Sequence, residues 1–310
     1  MKRLTQDQFF KAVDFIMTNA RPLDKKLFEY FFWNGSSLAV MNELCRYQNT
    51  DGGCGHGIEP DIRTAVSSPV GTSVAMQYAC MVKTPLQHPF IKRAMQYFTS
   101  VFEENGKWPL ILPEMNDEPH ADWWHYTGQT GGGFEANPGA EITGYYHAYP
   151  QILRDGLLGT LHDHVFQYIE NTEGVMEFHE VLSYLRLAEV IPEPGKSMLT
   201  DQLRKIAPKV VTTNPEEWDG YCAKPLWMAP SPASPLYSVL KNNVDLNLDY
   251  EIDNQAADGS WHPFWEWGQF REVWENEAKK EWQGWLTVKT LLALHSFGRI
   301  DEKVTVEKRS

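Results

Sequence analysis

Residues 48–72 read QNTDGGCGHGIEPDIRTAVSSPVGT, a turn-rich segment set between two apolar runs. Behind it lies LAVMNEL at 38–44, and ahead of it SVAMQYAC at 73–80. Both flanks place apolar residues at helical spacing. The segment between them carries Asp51-Gly52-Gly53, followed closely by His56, Glu59, Asp61 and Arg63. No other stretch joins so many turn residues to so many groups able to move protons or bind ions.

The start of this segment recurs. Gln48-x-x-Asp51-Gly52-Gly53 matches Gln255-x-x-Asp258-Gly259-Ser260-Trp261, and each copy follows one predicted helix and leads into another. Weaker echoes stand at Asn105-Gly106-Lys107-Trp108 and Trp218-Asp219-Gly220-Tyr221. The exits rhyme as well: Ser68-Pro69, Asn137-Pro138 and Ser234-Pro235 each put Pro at a helix start, where its missing N–H costs nothing. The chemistry of the repeat is simple. An Asp carboxylate accepts backbone N–H bonds in a turn, Gly supplies positive φ, and Gln can bridge neighbouring chain ends. A helical hairpin cannot bury its apolar face alone, so hairpins stack.

Read outward from there, the chain is helical nearly throughout. Thr5 caps a first helix with Gln8 in the capping-box position, and Phe9, Phe10, Val13 and Ile16 form its apolar face. Pro22 begins a second helix, Ser36 or Ser37 caps a third, a fourth covers Pro69 to Met81 and a fifth Phe90 to Phe102. A long loop, 110–138, contains Gly131-Gly132-Gly133. Further helices are predicted after Asn137-Pro138 and over 157–169, 176–190 and 196–210. A second long loop covers 213–235. Ser234 opens another helix, a separate one runs from Val244 to Asn254, and the last spans Trp282 to Phe297, ended by Gly298. Strand-type alternation is never sustained. The expectation is an all-α chain forming a single domain over 1–300, followed by a charged C-terminal tail, 301–310.

Q-x-x-D-G-G and Q-x-x-D-G-x-W resemble the repeats of terpenoid cyclases and protein prenyltransferase β-subunits. The longer string from Asp51 to Asp61, DGGCGHGIEPD, also resembles small bacterial toroid proteins. The fold this resemblance implies is an α/α toroid, a barrel of stacked helical hairpins with a central cavity and long loops at one end. The function it implies is binding of a small, partly apolar ligand. The family's chemistry is another matter. The D-x-D-D proton donor of squalene–hopene-type cyclases is absent, as is the Mg²⁺-holding D-D-x-x-D of diphosphate-ionising synthases. Cys54-Gly-His56 and Asp219-x-x-Cys222 do not follow the zinc pattern of the prenyltransferases, so neither Zn nor Mg is expected as a cofactor on the strength of a motif.

Composition narrows the function classes. A formal net charge of −13 argues against a general nucleic-acid binder, which needs a basic face. No apolar run approaches the length that spans a bilayer. The four cysteines form no C-x-x-C pair and read as reduced thiols, and the opening MKRLTQDQFFKAVDF turns amphipathic at once, so a cytoplasmic location is expected. The expected partner is a small molecule. Eight of the 12 Trp fall in two regions, Trp123-Trp124 and 261–285, which suits a lining for an apolar or sugar-like ligand.

Candidate residues follow from these patterns. His56, Glu59, Asp61 and Arg63 are the catalytic candidates: Glu59 or Asp61 would donate or accept a proton, His56 assist and Arg63 orient. The structural alternative has Asp61 and Arg63 pinning the loop. Trp124, His125, Glu141, Tyr145, Trp261 and Trp265 are the ligand-binding candidates. Glu141, with Glu135, flanks a helix start where a carboxylate is favourable in any case. Asp245, Asp249 and Asp253 share one helix face and read as an exposed acidic stripe. Two other function classes stay open: a carbohydrate-active α/α-barrel enzyme, which suits Trp and paired carboxylates, and a non-catalytic binding or scaffold protein.

Overall fold

A computed structural model describes residues 1–128, 133–152, 156–172 and 176–301. Gly131 and Gly132 of the glycine triplet, and residues 302–310 of the charged tail, lie outside the described residues. Among the described residues the chain is all-α, with isolated β-bridges and no strand. In chain order the helices are α1 (Gln6–Asn19), α2 (Pro22–Phe32), α3 (Ser37–Leu44), α4 (Pro69–Met81), α5 (Pro89–Asn105), α6 (Ala136–Ala148), α7 (Leu157–Asn171), α8 (Phe178–Val190) and α9 (Gly195–Val210). After these come the single turn α10 (Pro225–Met228), α11 (Tyr237–Asp253), the short α12 (Arg271–Val273) and α13 (Lys279–Ser296).

Local chemistry sets most of the boundaries. Thr5 Oγ1 accepts the Gln8 N–H at 3.2 Å while Gln8 Oε1 accepts the Thr5 N–H at 3.0 Å, a closed capping box. Ser36 Oγ caps α3 through Leu38 N, 3.1 Å, and Ser68 Oγ caps α4 through Gly71 N, 3.0 Å. Pro22, Pro69 and Pro89 stand at helix starts. Gly106 and Gly298, both at positive φ, follow the ends of α5 and α13.

Three expectations need correction. Residues 237–253 form one uninterrupted helix, not a helix opened at Ser234 followed by a second from Val244. Asn242 and Asn243 lower helix propensity, yet apolar Leu240, Val244 and Leu248 remain in register and are buried, so packing overrides it. The last helix starts at Lys279 rather than Trp282, led in by a π-turn over Trp274–Ala278. The aspartate stripe is the expected exposed face only in part: Asp253 is exposed, while Asp245 and Asp249 are half-buried. The buried Arg299 guanidinium pairs with Asp249 and lies 3.8 Å from Asp245, Lys2 pairs with Asp253, and the Lys2 N–H reaches Asp249 Oδ1 at 2.9 Å.

The chain separates into two compact units, one of Met1–Arg46 with Thr212–Ser310, the other of Tyr47–Val211. In the first, α13 packs on α1 and α2, and Phe9, Phe28 and Phe32 cluster with ring centroids 4.9 to 6.4 Å apart. Each such fully buried ring contributes roughly 1.5–3 kcal/mol. Arg21 and Asp24 form a buried ion pair at 2.8 Å. In the second unit α6 is the hub, packed on α4, α5, α7 and α8. It is buried almost all round, from Pro138 to Tyr146.

Each unit holds one copy of the repeated turn. In the second unit Gln48 Nε2 donates to Gly52 O at 2.9 Å and to Phe90 O, in the first turn of α5, at 3.0 Å. Asp51 Oδ1 accepts the Gly53 N–H at 2.9 Å, and Gly52 sits at φ +94°. In the first unit Gln255 Nε2 donates to Gly259 O and to Gln8 O, in the first turn of α1, both at 2.9 Å. Asp258 Oδ1 accepts the Ser260 N–H at 3.0 Å, and Gly259 sits at φ +91°. The glutamine thus ties its turn to the start of a second helix, as the sequence led one to expect. A side chain at either glycine would strike backbone: an added Cβ would stand 2.3 Å from Arg93 O or from Lys11 C.

Candidate functional site

The loop after the first turn is fixed largely by its own backbone. His56, at φ +56°, donates its N–H to Thr64 O at 2.8 Å. Its ring Nε2 lies 2.8 Å from Asn49 Oδ1. Asn49 Nδ2 donates to Ala65 O at 2.8 Å, which orients the amide and leaves Oδ1 as acceptor, so Nε2 carries the histidine proton. The imidazole is exposed on one side and clamps the loop on the other. Glu59 is half-buried and Asp61 is buried, 4% exposed. The Arg63 guanidinium lies against Gly57, with Nη1 3.0 Å from where a Cβ there would stand.

This loop and the next are brought together. Ile62 and His120 form an antiparallel bridge, flanked by Arg63 N–H to Pro119 O and Ala121 N–H to Asp61 O, each 3.0 Å. Trp124 packs on the Ile62, Val70 and Met115 cluster, and its buried indole N–H finds no acceptor among the described residues. His120 Nδ1 contacts Glu118 O at 2.7 Å, which only accepts, so Nδ1 bears a proton, and Nε2 lies 3.1 Å from His125 Nδ1. The catalytic candidates and the pair Trp124 and His125 therefore share one region, at the start of α4.

Glu141 and Tyr145 sit elsewhere in the same unit, on α6. Glu141 is 2% exposed. It receives the Tyr145 hydroxyl at 2.6 Å, Arg186 Nη1 from α8 at 2.8 Å and Gln77 Nε2 from α4 at 3.1 Å. The same tyrosine oxygen lies 3.0 Å from Ser73 O. Burial, and next the Glu141 charge, push the Tyr145 phenol well above its ordinary value, so it acts as a donor. A carboxylate with three donors from three helices clasps those helices. Glu135 is likewise tied down, to Lys107 Nζ at 2.5 Å and Leu110 N at 3.1 Å.

Trp261 and Trp265 lie in the first unit; Trp261 lines a shallow recess, open to solvent, with a cavity volume of about 40 Å³, and Trp265 packs on the Phe264 of its wall. Leu226, Trp227, Trp261, Phe264 and Leu286 supply apolar wall, and Lys224, Glu251, His262, Lys289 and Thr290 the polar groups. Trp261 is also structural. It is 4% exposed, its indole donates to Glu251 O at 2.9 Å, and its N–H is held by Thr287 Oγ1 at 3.1 Å. Trp227 and Phe264 have ring centroids 5.3 Å apart. Trp265 stands edge-on to Phe264 at 4.9 Å, and its buried indole N–H has no acceptor among the described residues.

The pocket floor is a closed polar network. Lys224 Nζ is 3.3 Å from Glu251 Oε1, Asn247 Nδ2 reaches the same oxygen at 3.2 Å, and Asn247 Oδ1 accepts the Leu226 N–H at 3.0 Å. The lysine ammonium also lies 5.0 Å from the Tyr250 ring centroid and 5.1 Å from that of Phe264. Of the lining residues the sequence singles out Trp261; Trp227 and this floor it does not. Its one sequence signal is Asn247 and Glu251 at i, i+4 on α11; Lys224 belongs to a loop whose position only the fold reveals.

No three or more His, Cys, Asp or Glu side chains gather as a metal-binding group among the described residues. Cys54 is fully buried, with its N–H bonded to Thr72 Oγ1 at 2.8 Å, whereas His56 faces solvent. Asp219 is engaged by the Tyr250 hydroxyl, and desolvation raises the Cys222 thiol above its ordinary value. No helix among the described residues is long and apolar enough to cross a membrane. The chain matches no family model, no curated protein and no solved structure.

Proposed function

We propose that this chain binds a small, partly apolar ligand in the aromatic pocket between α10, α11 and α13. The observation that carries the reading is the pocket's construction: Trp227, Phe264 and Leu286 form walls above a satisfied Lys224–Glu251–Asn247 floor. A mostly apolar recess with a few placed polar groups is the usual form of a small-molecule site. The α/α toroid belongs to this reading as the architecture that the repeat resembles. Its support is that both glutamines tie a turn to the start of another helix in the same way. The sugar-cleaving alternative draws less support here, because Glu251 is the one carboxylate among the described lining residues and Lys224 and Asn247 already engage it. Two separated carboxylates are the usual requirement for that chemistry.

Native mass spectrometry of the purified chain tests the proposal. Wild type should retain a co-purifying small molecule, and Thr290→Trp, which fills the pocket from its half-exposed rim, should lose it with an unchanged melting temperature. A ligand retained at the same occupancy by a folded Thr290→Trp variant would place binding elsewhere and defeat the reading.

A further inference from the structure

The second unit holds a pair of side chains that the proposed ligand site does not use. We infer that His147 and His162 form a two-histidine site for a divalent transition-metal ion of tetragonal or octahedral habit, Cu(II) or Ni(II), in the seam between α6 and α7. Their Nε2 atoms lie 3.0 Å apart, although 15 residues separate them in the chain.

Helix geometry brings them together. On α7, Leu161, Val165 and Ile169 recur every fourth residue and are buried. His162 follows Leu161, about 100° further round the helix, which puts it at the margin of that apolar face. His147 likewise follows the fully buried Tyr146, in the last turn of α6. The two helices pack on each other, so the two margins meet, and both imidazoles are half-buried. Their ring centroids are 4.9 Å apart, and the Phe166 ring, one turn on from His162, lies 5.3 Å from it. Side chains braced in this way hold a ligand geometry better than exposed ones.

As a hydrogen-bonded pair, one Nε2–H donates to the other Nε2. Moving that proton to Nδ1 of the same ring changes only its tautomer, leaves both imidazoles neutral and gives each Nε2 a lone pair to share with one ion. Burial, and then the His162 charge, lower the His147 imidazole to about 4, so it stays neutral at neutral pH, as a metal ligand must be. An ion about 2.05 Å from each nitrogen would see the two at an angle of about 95°. That is close to the cis angle of a tetragonal or octahedral ion. A tetrahedral ion would want the nitrogens about 3.3 Å apart. No third His, Cys, Asp or Glu completes a cluster with them among the described residues, so water would fill the other positions.

Electron paramagnetic resonance and calorimetric titration of the full chain with Cu(II) test the site. Wild type should take up one Cu(II) in preference to weaker sites, with a tetragonal spectrum split by two imidazole nitrogens. His147→Phe and His162→Gln should each weaken that binding at least about tenfold, the loss expected when a chelate becomes a single contact. Cu(II) should raise the melting temperature of wild type and of neither variant, because the ion ties α6 to α7. Should His147→Phe fail to fold, His162→Gln carries the test, since it keeps a hydrogen-bond partner for His147. His125→Ala, at the other contacting histidine pair, should bind as wild type does. Binding lost in His125→Ala and kept in His147→Phe would overturn the inference and move the site to the 118–125 loop. A one-nitrogen spectrum, or equal uptake by wild type and both seam variants, would also overturn it, as adventitious binding among the chain's ten histidines.

Discussion

The turn at 48–54 and the turn at 255–261 share a set of hydrogen bonds but end differently. In both, a glutamine amide spans its own turn and a second helix, an aspartate closes on the N–H two residues on, and a threonine hydroxyl accepts the next N–H. They part at the residue after Asp-Gly. Ser260 supplies its own hydroxyl to Asp258 at 2.7 Å; Gly53 has none, and Ser67, arriving from further along the chain, supplies it to Asp51 at 2.8 Å. The next position differs too. Trp261 plugs back onto α11 through Glu251 O and walls the pocket, whereas Cys54 is small and buried beneath the 55–67 loop. The turn is scaffold. What each unit offers to a ligand is decided by the residues attached to it.

Breaking the shared part should have the largest effect. Gly52→Ala and Gly259→Ala each force a Cβ to within 2.3 Å of a neighbouring helix's backbone, at a φ that L-residues avoid. Each should cost about 3–5 kcal/mol in chemical denaturation. Gly106→Ala is the control. It has positive φ but nothing within 4 Å of the added carbon, so it should cost only about 1 kcal/mol. If Gly52→Ala behaved like the control while Gly259→Ala did not, the two turns would not be equivalent.

The glutamines come next. Gln48→Ala and Gln255→Ala each remove two hydrogen bonds to backbone carbonyls, of which the one in a helix's first turn keeps its helical donor, a loss of about 1–3 kcal/mol. Gln48 also accepts from the Arg93 guanidinium, so its replacement should cost more. Hydrogen exchange localises the effect: the first variant should loosen the start of α5 and the second the start of α1. Equal costs would mean that the Arg93 contact contributes nothing to stability.

Much of this scaffold could be read from the chain because its bonds are short-range. Thr5 with Gln8, and Asp51 or Asp258 with the N–H two residues on, are fixed by spacing alone. Pairings that depend on which helices meet could not be read that way. Asp249 looked exposed because its partners, Lys2 and Arg299, lie far off in sequence. Glu141 stood out as a candidate, but the donors that hold it, Gln77 and Arg186, come from two other helices and left no local trace. The pocket divided along the same line. Of its walls, Trp261 alone belongs to the tryptophan clusters, while the floor joins Lys224 from a loop to Glu251 from a helix. The separate helix expected from Val244 fails the opposite way: burial of Val244 and Leu248 keeps 237–253 in one helix.

The smallest effect concerns the one hydroxyl the two turns obtain differently. Ser260→Ala and Ser67→Ala should each cost about 0.5–1.5 kcal/mol, the net worth of a hydrogen bond to a charged acceptor at a partly wet site. The informative variant is the exchange. Gly53→Ser alone brings a Cβ to 2.5 Å from Ser67 Cβ and 2.7 Å from Tyr97 Cε2, so it should destabilise by more than the loss of the hydroxyl. Adding Ser67→Gly removes the first obstacle and moves the hydroxyl to the position that Ser260 holds in the other turn. The double variant should therefore be more stable than Gly53→Ser, with a favourable coupling of about 1 kcal/mol or more in a double-mutant cycle. The Tyr97 ring would keep the recovery partial. Additive costs would show that Ser67 does not occupy the space of the missing side chain, and the correspondence between the turns would then stop at Asp51.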